Sequence, residues 1–233
     1  LSEPTALTLN TQHSTPTTQM YSNKENVNIL TSLLIKEKVT KAVVCPGSRN
    51  SPIVHNLCAC PEIECYPVTD ERSAGFVALG MTLADNEPVV VFYQKRPLII
   101  ISADRPAQWI DQQDGQTLQQ HRALEPNVRK SVTLPEPHNE EERWYCNRLV
   151  NEALNAVRLN DGSPVHINVS ISEPLFEYDV PKLPYERNIF MLHATTDSTC
   201  VYEMAADFFR GKKLMFVLGQ LTPEVVGNSL EAI

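Results

Sequence analysis

The sequence predicts an α/β fold with a doubly wound, largely parallel sheet. Two observations predict it. Short β-rich runs alternate with segments of helical periodicity, and polar loops that carry helix-starting residues follow the runs. Hydrophobic residues make up 42% of the 233 residues and charged residues 21%, so a buried core is expected and wholesale disorder is not.

The first strand–helix unit follows a polar leader. Residues 1–21 are rich in Thr, Ser, Gln and Pro without an apolar period, which indicates a disordered or cloning-derived segment. Ser22–Glu25 has the pattern of a capping box and predicts a helix to about Lys38. Ala42–Cys45 is a predicted strand, and it leads into the loop Pro46–Pro52, whose last proline suits the first turn of a helix.

The pattern then repeats. Cys65–Val68 predicts a strand, Asp70 opens a helix to about Ala84, and Val89–Phe92 and Leu98–Ser102 predict two further strands. Only five residues separate these last two strands, whereas a parallel crossover needs about a dozen. Either the two strands form an antiparallel hairpin or residues are missing at this junction, and we favour the second.

The remaining residues complete one domain and begin another. Asn139 caps a helix with an acidic first turn that Gly162 ends, and Val165–Val169 predicts the last strand. We expect a domain over residues 22–180, a proline-containing linker over 181–189, and the start of a second α/β domain over 190–233. The expected elements of that second domain are a helix ending at Gly211, a strand at Leu214–Leu218 and a helix from Pro223.

The net charge, the apolar runs and the cysteine spacing argue against a nucleic-acid-binding protein, a membrane protein and a zinc protein. A net charge of −8 argues against nucleic acid as a partner, and it requires local arginines if the substrates are anions. No run approaches the roughly 18 apolar residues of a membrane span, and the start does not resemble a signal peptide, so a cytoplasmic protein is predicted. Cys58, Cys60 and Cys65 have no fourth ligand at a usual zinc spacing, which favours free thiols and no metal.

Three loops follow the carboxyl ends of predicted strands, where open α/β sheets bind ligands: Pro46–Pro52, Thr69–Ser73 and Ala103–Gln116. Each alone has a simple structural explanation. The first could be an ordinary turn, and Glu71 could be a favourable first-turn carboxylate. Arg105 could form a loop ion pair with Asp104.

Together these loops resemble a known family, the thiamin-diphosphate-dependent 2-succinyl-5-enolpyruvyl-6-hydroxy-3-cyclohexene-1-carboxylate synthases of menaquinone biosynthesis, or MenD. The resemblance is carried, in order, by Val44–Pro52, Asp70–Arg72 with Ala78–Gly80, Ser102–Pro106, and His166–Val169 with Glu173–Leu175. It covers about residues 22–180, a pyrimidine-binding domain, and the residues after the linker resemble the start of the family's central domain.

The resemblance implies a transferase that decarboxylates 2-oxoglutarate and adds the succinyl unit to isochorismate. It places the catalytic carboxylate, which contacts the aminopyrimidine ring of thiamin diphosphate, at Glu71, with Pro46 and Gly47 also at the cofactor. Ser48, Arg49, Arg105 and Gln116 match the residues that hold isochorismate. The family is homodimeric or homotetrameric, with an active site shared between subunits.

One part of the family's site is missing from the sequence. No Gly-Asp-Gly-like loop followed by paired asparagines, the family's Mg²⁺ and diphosphate anchor, occurs in the 233 residues. We therefore expect this segment alone to be an incomplete catalyst. Two alternatives remain: a segment of another thiamin-diphosphate enzyme, such as an acetolactate-synthase relative, and a non-catalytic α/β ligand-binding module.

Overall fold

A computed structural model describes residues 19–85, 97–115, 117–125, 127–158, 162–191, 203 and 206–213. The chain divides into two compact units, residues 1–191 and 192–233. In the second unit, residues 206–209 are helical and Gly211 has a φ of +73°, so the expected helix end at this glycine is confirmed.

The first unit alternates helices and strands as the sequence predicts. In chain order the elements are α1 (Glu25–Lys36), β1 (Lys41–Val44), α2 (Ser51–Ala59), β2 (Glu64–Pro67), α3 (Glu71–Asp85), β3 (Ile99–Asp104), a 3₁₀ turn (Ala107–Trp109), β4 (Lys130–Leu134), α4 (Glu140–Arg158) and β5 (Val165–Ser170). Strand β4 has no counterpart among the sequence-based predictions.

The described strands pair in parallel within two sheets. Strand β1 pairs with β2, and β5 lies between β3 and β4. Val165 of β5 is in register with both Ile99 and Lys130, so all three strands begin at one edge. This arrangement confirms the α/β class with a parallel sheet.

Helix α1 is the centre of the core. Residues 26–34 are all buried, and the helix packs against α2 and α4. Strand β5 is buried at all six positions, with Ile167 and Val169 in the apolar cluster that includes α1 and α4. The core therefore fixes the strands whose carboxyl ends carry the candidate site.

The predicted capping box at Ser22–Glu25 is wrong. Lys24 occupies the N-cap of α1, and Ser22 is instead tied to α2, because its backbone N–H donates to Asn56 Oδ1 at 2.8 Å. The Glu25 carboxylate accepts a hydrogen bond from Arg143 Nε of α4 at 2.7 Å. Ser22 Oγ keeps a local partner, the Lys24 N–H at 3.2 Å, so tertiary partners have replaced only the reciprocal bond between the Glu25 carboxylate and the Ser22 N–H.

Other helix-end signals are confirmed. Asn139 Oδ1 accepts the Glu142 N–H at 2.9 Å, and Asp70 Oδ1 accepts the Ser73 N–H at 2.9 Å. Gly162 has a φ of +87°, and a Cβ there would lie 2.6 Å from Pro97 Cδ, so this position requires glycine.

Some expectations lie outside the described residues. They are the leader over residues 1–18, the strand Val89–Phe92 with its short junction, Gln116, the strand Leu214–Leu218 and the helix from Pro223. Within the described ranges, no helix is both long and apolar enough to cross a membrane.

The predicted linker has no regular secondary structure, but hydrogen bonds hold its backbone against α4. Three asparagines one turn apart on α4 bind its backbone: Asn147 and Asn151 donate to the Arg187 carbonyl at 3.2 Å, and Asn155 donates to the Ile189 carbonyl at 2.6 Å. Asn151 Oδ1 also accepts the Ile189 N–H at 2.8 Å. The segment after residue 186 is therefore held along α4 rather than loose.

Candidate functional site

A cavity of about 580 Å³ opens at the carboxyl ends of β1 and β3. The loops Pro46–Pro52 and Thr69–Ser73 contribute to it, and the loop Ala103–Gln116 contributes only its first residue. Its walls are Val43–Asn50, Ile53, Val54, Glu71, Ala74, Ile100–Ala103, Leu118 and Gln120. Apolar side chains of the strands and of α2 thus adjoin a small set of polar groups, the composition typical of a small-molecule site.

Glu71 brings a carboxylate to this cavity. It is the first residue of α3, and since Asp70 already caps the helix, the Glu71 side chain is not needed there. The residue is exposed, and no hydrogen bond or ion pair to its carboxylate occurs within the described part of the chain. A carboxylate so placed can accept a hydrogen bond from a ring nitrogen of a ligand.

The loop after β1 folds back on itself. Asn50 Nδ2 donates to the Cys45 carbonyl at 2.9 Å, and a Cβ at Gly47 would lie 3.0 Å from Asn50 Oδ1. Asn50 Oδ1 and Arg49 Nε are both buried, and neither has a hydrogen-bond partner among the described residues. Unsatisfied buried polar atoms are costly, so this loop has the capacity for a ligand that supplies a donor and an acceptor.

Arg49 is held at the cavity wall by the turn after β5. Its Nη1 donates to the Ile171 carbonyl at 3.2 Å, and its Nη2 lies 3.2 Å from Glu173 Oε1. Only 13% of the Arg49 side chain is exposed, compared with 57% for Glu173. The guanidinium is therefore pre-positioned at the cavity wall.

Arg105 is not among the residues that line the cavity. Its Nε lies 2.7 Å from Asp114 Oδ2 and donates to the Gly115 carbonyl at 3.3 Å. The ion pair with Asp104 considered from the sequence is wrong, because Asp104 instead accepts the Arg105 backbone N–H at 2.8 Å. In this structure the Arg105 side chain binds Asp114 and Gly115 of its own loop.

Two cavity residues, Ser102 and Gln120, were missed as site residues from the sequence. Gln120 Nε2 donates to the Ala103 carbonyl at 3.2 Å, which ties residues after the 3₁₀ turn to the end of β3. One signal was available, since His166 and Asn168 alternate with the apolar residues Val165, Ile167 and Val169 and must share a face. Both contact Ser102.

Cys45 also lines the cavity, which raises the possibility of thiol chemistry. Burial raises the pKa of its thiol, and the nearby negative charges of Glu71 and Asp70 raise it further. The thiolate is the reactive form, so this environment disfavours a nucleophilic cysteine. No cluster of three or more His, Cys, Asp or Glu side chains that could hold a metal occurs in the described ranges.

Comparison with known proteins gives this geometry a context. Residues 25–96 match the family described as thiamine pyrophosphate enzyme, N-terminal TPP binding domain. This stretch holds β1, the Pro46–Asn50 loop and Glu71. Residues 25–96 belong to the thiamine pyrophosphate enzyme family.

Curated relatives extend the similarity over most of the chain. The chain is 50% identical over 73% of its length to a Bacteroides fragilis protein, and 44% identical over 87% to one from Bacteroides thetaiotaomicron. A Porphyromonas gingivalis protein is 35% identical over 88% of the chain. All three are named 2-succinyl-5-enolpyruvyl-6-hydroxy-3-cyclohexene-1-carboxylate synthase, which confirms the resemblance found in the sequence. The chain spans 34–40% of the length of these relatives.

Proposed function

We propose that this chain supplies the pyrimidine-binding half of the active site of a thiamin-diphosphate-dependent transferase of menaquinone biosynthesis. The reaction is decarboxylation of 2-oxoglutarate and addition of the succinyl unit to isochorismate. One observation carries the proposal: Glu71 and the Pro46–Asn50 loop meet in one cavity, in a chain 50% identical to a protein named for this synthase.

Glu71 is the proposed catalytic residue. Thiamin diphosphate, when bound, supplies the carbon nucleophile of this chemistry. The Glu71 carboxylate would hold a proton at the aminopyrimidine ring, in a cavity that Pro46, Gly47, Ile53 and Val54 also line. Its lack of a described partner supports this role, because the carboxylate remains available to the ring.

Arg49, Arg105, Ser48 and Gln116 are the proposed isochorismate ligands. Arg49 and Ser48 line the cavity, and a guanidinium fork suits a carboxylate. Arg105 would have to exchange Asp114 for a substrate carboxylate, which the 20% exposure of its side chain allows. The proposed Mg²⁺ and diphosphate anchors lie outside these 233 residues, in agreement with the missing sequence motif.

We also propose that the protein is cytoplasmic and forms a homodimer or homotetramer. Helix α3, which begins at Glu71, exposes three large apolar side chains on its outer surface. They are Phe76, Val77 and Leu83, with exposed fractions of 77%, 40% and 56%. A second copy covering this surface would lie beside Glu71, as a site shared between subunits requires. The proposed domains are residues 22–180, a linker over 181–189 and a second domain from 190.

Steady-state kinetics of the full-length protein test the substrate assignment. Arg49→Ala and Arg105→Ala should each lower kcat/KM for isochorismate by roughly 10- to 100-fold, because a charge-assisted hydrogen bond is worth about 1.5–3 kcal/mol. Cofactor affinity should be unchanged. Arg72→Ala is the matched control, since this side chain is 90% exposed and pairs only with Asp70 among the described residues.

An unchanged kcat/KM in both Arg49→Ala and Arg105→Ala would contradict this assignment. Activity with pyruvate as the sole keto acid, unaffected by either substitution, would instead favour an acetolactate-synthase-like enzyme.

A further inference from the structure

A row of polar side chains crosses the three-stranded sheet beside the cavity. Ser102 of β3 lies 2.8 Å from His166 Nε2 of β5, and Ser131 of β4 lies 3.1 Å from His166 Nδ1. Asn168 of β5 is also part of the row, because its Oδ1 lies 2.7 Å from Ser102 Oγ. His166 and Asn168 are 2% and 1% exposed, so the centre of the row is buried. Ser131 and Ser102 are part-buried, and Ser102 reaches the cavity wall.

The direction of each hydrogen bond in this row follows from one carboxylate. Asp104 Oδ2 can only accept, so the Asn168 atom 2.9 Å away must be the amide nitrogen. Asn168 Oδ1 therefore faces Ser102 and must receive the Ser102 hydroxyl proton. Since that proton is committed, the Ser102 oxygen must accept from His166 Nε2–H.

The same logic fixes the tautomer of His166 in its neutral form. With Nε2 protonated, a neutral ring has its lone pair on Nδ1, which accepts from the Ser131 hydroxyl. The protons thus run one way, from Ser131 through His166, Ser102 and Asn168 to Asp104. Asp104 is 5% exposed and is anchored through Oδ1 by the Arg105 N–H.

This polarity determines what Ser102 can bind. The Ser102 hydroxyl donates its proton to Asn168, and one of its lone pairs accepts from His166. The other lone pair remains, so Ser102 can offer a ligand in the cavity only a hydrogen-bond acceptor. An ionised carboxylate or a carbonyl has no proton to give, so such groups are disfavoured at this point. A hydroxyl group is favoured, and 2-oxoglutarate has none, whereas isochorismate carries one on its ring.

We propose that Ser102 is a substrate-binding residue that accepts a hydrogen bond from the ring hydroxyl of isochorismate, and that His166 and Asn168 are positioning residues that keep Ser102 an acceptor. The choice of ligand rests on the proposed function. The acceptor state of Ser102 does not, because it follows from the contacts of the protein alone.

The protein half of the proposal is tested without substrate. In full-length protein labelled with ¹⁵N-histidine, the His166 resonances, assigned by their loss in His166→Gln, should show a neutral ring protonated at Nε2. Protonation at Nδ1 alone would mean that the hydrogen bonds of His166 run in the opposite direction, and it would overturn the proposal.

The ligand half is tested with isochorismate and the analogue that has hydrogen in place of the ring hydroxyl. Ser102→Ala should lower kcat/KM for isochorismate by about 3- to 10-fold, the range expected of one neutral hydrogen bond, and leave the analogue unchanged. Ser102→Thr keeps the hydroxyl and should retain the discrimination. His166→Phe should lose part of it, and His138→Gln, at an exposed position outside the cavity wall, should keep it.

The outcomes separate two failures. In the first case the wild-type protein turns over isochorismate, but Ser102→Ala loses kcat/KM equally for isochorismate and the analogue, or loses affinity for thiamin diphosphate instead. Either result would overturn the proposal and leave the proposed function intact. No turnover by the wild-type protein would overturn the proposed function and with it the ligand named here.

Discussion

Two carboxylates near the cavity have opposite surroundings. Asp104 is buried and accepts hydrogen bonds from Asn168 Nδ2 and the Arg105 N–H, at 2.9 and 2.8 Å. Glu71 is exposed at the cavity and has no partner among the described residues. A satisfied buried carboxylate organises structure, whereas an unsatisfied one in a cavity is available to a ligand. These surroundings indicate a structural role for Asp104 and support the proposed catalytic role of Glu71.

His166 should make stability depend on pH. Burial lowers its pKa below the ordinary 6.5; the negative charge of Asp104 opposes this shift, and His121 adds to it. Below about pH 6.5 the unfolded chain binds a proton that the folded chain resists, so the free energy of unfolding should fall as the pH falls. The fall should be smaller in His166→Gln.

Thermal unfolding of the full-length protein at about pH 7.5 and about pH 5.5, on either side of the unfolded pKa, measures this effect. His138→Gln, at an exposed position, is the control. An equal loss of melting temperature in wild type and His166→Gln would show that His166 does not contribute.

At the scale of elements, local patterns predicted most helices and strands but not β4. Apolar periodicity and helix caps are local, so α1, α4 and β5 were predicted to within a few residues. Strand β4 is five residues long, pairs only with β5 among the described strands and carries Ser131 and Thr133 on one face. Its strand conformation depends on that pairing, which a local pattern does not contain.

The asparagines of α4 should control access to the linker. Asn151→Ala removes hydrogen bonds to Arg187 and Ile189. The Arg187 carbonyl keeps Asn147 as a donor, whereas the part-buried Ile189 N–H loses its partner, which costs about 1–3 kcal/mol. If local opening becomes easier by 1–2 kcal/mol, tryptic cleavage at Arg187 in the full-length protein should accelerate about 5- to 30-fold.

Arg148→Ala is the control for this experiment. The Arg148 side chain is 50% exposed and pairs with Glu152 on the same helix, so its loss should change the cleavage rate little. Equal cleavage rates in Asn151→Ala and wild type would show that the asparagines do not hold the linker.

At the scale of the whole molecule, the site combines residues that are far apart in sequence. The three loops were predictable, because carboxyl ends of parallel strands gather at one edge. The row from Ser131 to Asp104 was not, since Ser102 reaches Asn168 across 66 residues and Ser131 reaches His166 across 35. The partner of Arg105 was also not predictable, because Asp114 follows a turn whose geometry the sequence leaves open.

The 233-residue polypeptide by itself should neither decarboxylate 2-oxoglutarate nor form the carboligation product. The reason is the missing Gly-Asp-Gly and asparagine anchor for Mg²⁺ and diphosphate. Product analysis with purified polypeptide of confirmed mass, supplied with thiamin diphosphate and Mg²⁺, checks this expectation. Turnover above the level of a protein-free blank would show that the anchor is dispensable or lies within these residues.

The central claim is that the cavity beside α3 binds the aminopyrimidine ring and that Glu71 acts on it. The most direct measurement compares kcat of wild type, Glu71→Gln and Glu64→Gln, an exposed control, in the full-length protein with saturating thiamin diphosphate. Glu71→Gln should lose about 100-fold or more of kcat at an unchanged melting temperature, because the amide cannot replace an acid–base group, while Glu64→Gln stays near wild type. A Glu71→Gln enzyme with near-normal kcat would contradict the account.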